Sequence, residues 1–148
     1  MGALAGRSGR HRAGLAGAAL LALLLAAPAH AARDRVRWET GGGIAGITGT
    51  NLIVGTDRTA RAEAFGKAAG FRLGDRRWAQ LGRRLRAARF GTLQRVYRPE
   101  FPVADGMYDE VRYRGRAVTV ETGAKPPDRL VRLIRLLTRI HDRHLQSR

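Results

Sequence analysis

The chain has 148 residues, with 28 Lys and Arg against 12 Asp and Glu, a formal net charge of +16. It has no cysteine, which rules out disulfides and a thiolate nucleophile. This length suits one domain, and the excess of arginine favours contact with polyanions without specifying nucleic acid.

The first 31 residues read as a secretory leader. Arg7, Arg10 and Arg12 form a positive head, and Ala13 to Ala27 is a continuous apolar run. Ala29-His30-Ala31 then offers small residues at both key positions of a cleavage site. The apolar run is shorter than the ~20 residues of a membrane span. Cleavage after Ala31 predicts a secreted protein, Ala32 to Arg148, with no further membrane contact. Removing the three leader arginines leaves 25 basic residues against all 12 acidic ones, so the mature chain carries +13.

Within that chain, Arg35 to Thr40 alternates charged and apolar residues, the period of a half-buried strand. The neutral stretch GGGIAGI, Gly41 to Ile47, follows. Thr48 to Val54 reads as a second strand, with Gly41-Gly42-Gly43 as the turn between them. Gly46 and Gly49 suggest a bulge or a close backbone approach. Asp57 to Gly74 is less regular, and Ala60 to Ala69 reads as a short helix weakened by Gly66 and Gly70. Asp75 is the expected N-cap of the next element, where Trp78, Leu81, Leu85 and Ala88 share one helical face and Gly91 ends it. Tyr97 to Asp105 carries two prolines and reads as a loop. Met107 to Arg114 and Ala117 to Thr122 form a hairpin about Gly115. Lys125-Pro126-Pro127-Asp128 opens a last helix with its stripe at Leu130, Leu133, Ile134, Leu137 and Ile140, and Asp142 to Arg148 reads as a frayed tail. The expected fold is α+β: a small two-layer domain with a four-stranded antiparallel sheet from two hairpins and two main helices, in the order β-β-α-β-β-α.

Catalytic parts are scarce. After the leader, the only serine is Ser147 and the only histidines are His141 and His144, so no serine or cysteine nucleophile has a plausible histidine base. The reading is a non-enzyme that needs no cofactor. His141 and His144 have a spacing that can share a metal but lack a third ligand, so no metal site is expected. Asp109 and Glu121 can approach across the hairpin, but a small two-layer domain offers little room for a sugar cleft. GGGIAGI is followed by strand-like residues where a phosphate cradle would open a helix. Arg76, Arg77, Arg83, Arg84, Arg86 and Arg89 on the first helix can attract an anionic polymer. This second reading is a cell-envelope protein that binds wall polyanions, with no specific nucleic-acid role.

Several segments in order carry a likeness: GGGIAGI after a charged alternating strand, ARFGTL closing the first helix, ADGMYDEVRYRGRAVTVET, and KPPDRLVRLIRLL. Together they resemble the emfourin-type protealysin inhibitors, small proteins that inhibit thermolysin-like metalloproteases. The likeness spans about Val36 to Ile140. It departs from the family at Ile44, where an aromatic is common. It departs again at Tyr108, three residues after Asp105 where four are expected, and in the longer Asp57 to Gly74 segment. The resemblance implies a secreted thermolysin-like metalloprotease as partner. Its expected contacts are Gly42, Gly43, Ile44, Ala45, Gly46, Ile47, Asp105 and Tyr108. Ile44 or Ile47 would fill an apolar subsite. The alternative places both isoleucines in the sheet, where their odd separation puts them on opposite faces unless a bulge intervenes.

Overall fold

A computed structural model describes residues 34–43 and 49–146. The leader at 1–31 lies outside the described residues, as do Ile44, Ala45, Gly46 and Ile47 of the glycine-rich stretch and Ser147. In chain order the elements are β1 (Asp34–Gly42), β2 (Thr50–Gly55), β3 (Thr59–Ala64), β4 (Lys67–Arg72), α1 (Asp75–Ala88), β5 (Val96–Tyr97), β6 (Met107–Tyr113), β7 (Arg116–Glu121) and α2 (Asp128–Gln146).

The fold is α+β, but the expected four-stranded antiparallel sheet is incorrect. The strands form one seven-stranded mixed sheet, ordered β4-β3-β2-β1-β6-β7-β5. Every neighbouring pair is antiparallel except β5 and β7, which run parallel. Two features account for the difference. Ala60 to Ala69 is a hairpin, not a helix: Ala60 and Ala62 face the core while Arg61 is exposed, the two-residue period of a strand. Phe65 and Gly66, at φ 47° and 78°, make the tight turn between β3 and β4. Alanine favours helices in isolation, yet small side chains on an inward face suit a sheet on which a long helix lies close. The other feature is β5, two residues that pair with Thr119 and Val120 and are too short to show a period.

One row of side chains crosses the sheet on its core side: Ala69, Ala62, Leu52, Trp38, Val111 and Val118, each opposite the next. All are buried. Leu81 and Leu85 of α1 and Leu130, Leu133, Leu137 and Ile140 of α2 close over them. Leu136, outside the expected stripe, is buried as well. Helix α1 begins at Gly74, which takes the N-cap position expected for Asp75, and ends on Arg89 in the left-handed conformation rather than on Gly91. Helix α2 continues to Gln146, so Asp142 to Gln146 is helix and not a frayed tail. His141 is buried in it.

The opposite face of the sheet is polar. Arg61 pairs with Glu63, and Arg112 with Glu110. Asn51 donates to Glu63 at 2.8 Å. The amide of Asn51 and then the Arg61 guanidinium hold the Glu63 carboxyl below its usual range. This alternation of core and polar faces fixes the strand register.

Ala62 and Ala68 test the hairpin. Ala62→Lys puts a charge at a fully buried position and should destabilise by about 3 kcal/mol or more. Ala68→Lys, on the exposed side of β4, should stay within about 0.5 kcal/mol of wild type. Urea unfolding of both variants checks the pair.

Candidate binding rim

A second row crosses all seven strands: Lys67, Ala64, Thr50, Thr40, Asp109, Val120 and Tyr97. Every connection beyond this row lies at one end of the sheet. These are Gly43 and Gly49 at the ends of β1 and β2, the Phe65-Gly66 turn, the 98–106 segment and the chain leaving β7. Four large apolar side chains are exposed along this rim: Phe65 at 80%, Phe101 at 76%, Val103 at 49% and Met107 at 42%. Val96, at 39%, lies on edge strand β5 instead. An exposed leucine or phenylalanine alone needs no explanation, but several at one end of the sheet make that end the candidate contact surface. Phe65 stands out further. A bulky residue at positive φ is locally unfavourable, and this one gains no burial in return.

The glycines at the end of β1 have steric causes. Gly41 sits opposite Tyr108, whose ring lies across it, so an added Cβ would come within 2.5 Å of the hydroxyl. Gly42 has φ +105°, and its added Cβ would meet the Gly106 carbonyl oxygen at 2.5 Å. Gly43 then donates its N–H to the same Gly106 oxygen at 3.3 Å. The end of β1 is thus pinned to the base of the 98–106 segment. That base is held in turn by Gly106 N–H to Val103 O at 3.0 Å and Thr122 N–H to Met107 O at 2.8 Å.

Of the residues expected to touch a protease, Gly42, Gly43 and Asp105 come together on this rim. Tyr108 lies one step inside it and packs over Gly41, a structural position. Asp105 is exposed. Ile44, Ala45, Gly46 and Ile47 lie outside the described residues, although the connection holding them leaves the rim at Gly43 and returns to it at Gly49. Sequence reasoning missed Phe65, Phe101, Val103 and Met107. Phe65-Gly66 between two alternating runs was the available signal. Phe101, between Pro99 and Pro102, offered none beyond its loop position.

Beside the rim, Asp109 faces the core. Its carboxylate accepts the Trp38 indole N–H at 2.8 Å. Burial raises its pKa above the usual carboxylate value, and the Trp38 hydrogen bond only partly opposes this. Asp109 and Glu121 are not partners: Asp109 stands opposite Val120, and Glu121 reaches Arg98 on the other face. Asp109 also borders a cleft of about 350 Å³ lined by Val120, Val131, Ile134 and Arg135. Among the described residues, no group of three His, Cys, Asp or Glu is placed to hold a metal. His141 spends Nε2 on the Glu63 carbonyl at 3.0 Å and Nδ1 on Asp142 at 2.9 Å, while His144 stacks on Phe71 at 3.6 Å.

The six arginines of the expected polyanion surface do not act as one. Arg76, Arg77 and Arg83 border a groove with Arg143 of α2. Arg84 is half-buried, Arg86 is exposed, and Arg89 forms the left-handed cap of α1. None of these last three lines the groove. No protein-family model matches this chain, and no curated protein matches it either.

Two predictions follow from this geometry. Gly42→Ala should destabilise by about 1–3 kcal/mol, since the new methyl meets backbone at a left-handed position. Denaturant unfolding reads this directly. Asp109→Asn tests the buried carboxyl. Because its folded pKa is raised, the folded state holds this proton to higher pH than the unfolded chain does. Its contribution to stability is therefore lost as pH rises above about 3.8. Asparagine keeps an acceptor for Trp38 without that charge. The variant should melt at or above wild type near neutral pH, and the difference should close near pH 3.

Proposed function

We propose that this protein is a secreted binding protein that inhibits thermolysin-like metalloproteases through the rim. The observation that carries the reading is that four large apolar side chains are exposed at one end of the sheet, Phe65 near its β4 edge and Phe101, Val103 and Met107 toward its β5 edge. Inhibitors of standard size present a preformed surface with a few apolar anchors that lose their water on docking. A seven-stranded sheet supports the rim rigidly, and Gly42, Gly43 and Gly106 let two backbone segments lie against each other there. The resemblance to emfourin-type inhibitors supplies the partner, whose cleft favours bulky apolar side chains. Ile44 and Ile47, between Gly43 and Gly49, supply two more such groups.

The test is a titration of a thermolysin-like metalloprotease with the purified protein and a small peptide substrate. Stoichiometric inhibition by intact protein is expected. Ile44→Ala and Phe101→Ala should each weaken it by about tenfold or more, the effect of removing an anchor. Cleavage of the protein, or indifference across several such proteases, overturns the reading.

A further inference from the structure

At the end of the molecule opposite the rim, α1 starts where β4 ends, and its first residue, Asp75, pairs with Arg58 in the β2–β3 turn. Here the last turns of α2 pass α1, and a groove of about 690 Å³ opens between them. Gly74, Asp75, Arg76, Arg77, Gln80, Arg83 and Arg143 line it, and Asp75, its one acid, is held by Arg58. We propose that this groove is a binding site for an oligophosphate, a linear anion with several phosphate groups in close succession.

The groove gathers arginines from both helices. Several arginines elsewhere meet carboxylates: Arg58 with Asp75, Arg61 with Glu63, Arg98 with Glu121, Arg112 with Glu110, and Arg132 with Asp128. Among the described residues, Arg76, Arg77 and Arg83 have no carboxylate partner. Asp75, the acid closest to them in sequence, is engaged by Arg58. Arg77 instead donates to the Gln80 side-chain oxygen at 3.0 Å, which leaves the Gln80 amide N–H groups as further donors. Burial, then Arg143, Arg139 and Arg76, lower the pKa of Arg77. Burial, Arg143 and Arg77 do the same to His144. Arg76, Arg77 and Arg83 crowd like charge along the start of α1, which opposes folding.

The ligand class follows from the same charges. A single carboxylate would neutralise one guanidinium and leave the others in repulsion. Phosphate groups in succession offer several charges and many acceptor oxygens in a small volume, and guanidinium forks match those oxygens two at a time. The start of α1 adds to this. Gly74 caps it without a side-chain hydrogen bond, so first-turn N–H groups remain as donors at the lip of the groove.

Calorimetric titration of the purified protein with inorganic tripolyphosphate tests the site. One-to-one binding is expected, weakening as salt rises from about 50 to 200 mM. Arg76→Gln/Arg83→Gln should weaken binding by about tenfold or more, and Arg84→Gln/Arg86→Gln, which removes the same charge outside the groove, by less than about twofold. Without ligand, the groove variant should melt no lower than wild type, since repulsion is relieved. Equal losses in the two double variants, or many weak sites without saturation, would show diffuse attraction and overturn the proposal, as would no binding at low salt. A phosphodiester polymer, poly(glycerol phosphate), is the second arm. Binding as tight as that of tripolyphosphate would assign the groove to phosphates in general and overturn the preference for close succession. Protease inhibition by the groove variant should equal wild type, so this site and the rim stand or fall separately.

Discussion

Trp38 ties together more of this molecule than any other residue described. Its ring is almost fully buried at the middle of β1, between Leu52 of β2 and Val111 of β6. The indole N–H is satisfied by Asp109, so the largest core side chain leaves no polar atom unpaired. The edge of the ring meets His141 of α2 at 5.5 Å, and His141 reaches on to the Glu63 carbonyl of β3. One aromatic residue thus links the central strand to both its neighbours, to the covering helix and, through that helix, to the outer hairpin. In a chain without disulfides, this linkage has to come from packing and satisfied polar groups.

A sheet built this way has little room for function on its faces. One side is consumed by α1 and α2. The other carries paired charges, Arg61 with Glu63 and Arg112 with Glu110. The edges are also guarded. Strand β5 is only two residues long and is followed closely by Pro99, and β4 carries the exposed charges Lys67 and Arg72. What remains are the two ends, where connections emerge and side chains are not committed to a ladder. The apolar rim and the cationic groove occupy those ends.

The sequence disclosed this structure unevenly, and the reasons are local. Strands with clear alternation, Arg35 to Thr40 and Met107 to Tyr113, were legible because each has one apolar and one polar face. The α2 stripe was legible for the same reason at helical period. The β3–β4 hairpin was hidden because its inward positions are alanines, which carry strand period and helix propensity at once. Strand β5 was hidden because two residues cannot show a period. Of the rim, the glycines were visible, but their causes were not. Gly41 is small because Tyr108 lies over it, a contact across 67 positions of sequence that no local pattern contains. The arginines of α1 were visible too, yet only the packing of α2 against α1 separates Arg76, Arg77 and Arg83 from Arg84, Arg86 and Arg89.

The separation of the two ends has a physical consequence. Association through apolar anchors depends on shape and changes mainly its on-rate with salt, whereas association through arginines weakens steeply as counterions compete. Placing the two at opposite ends of a rigid sheet keeps an anion at the groove from screening or blocking the rim. On the proposed reading, the same arrangement lets a protein of high net charge keep an apolar docking surface. Its glycine-rich connection carries no charge, and its nearest arginine pairs, such as Arg98 with Glu121, are already compensated. The neutral stretch in a basic chain is therefore the part from which charge must be absent if apolar side chains are to meet a partner before arginine does.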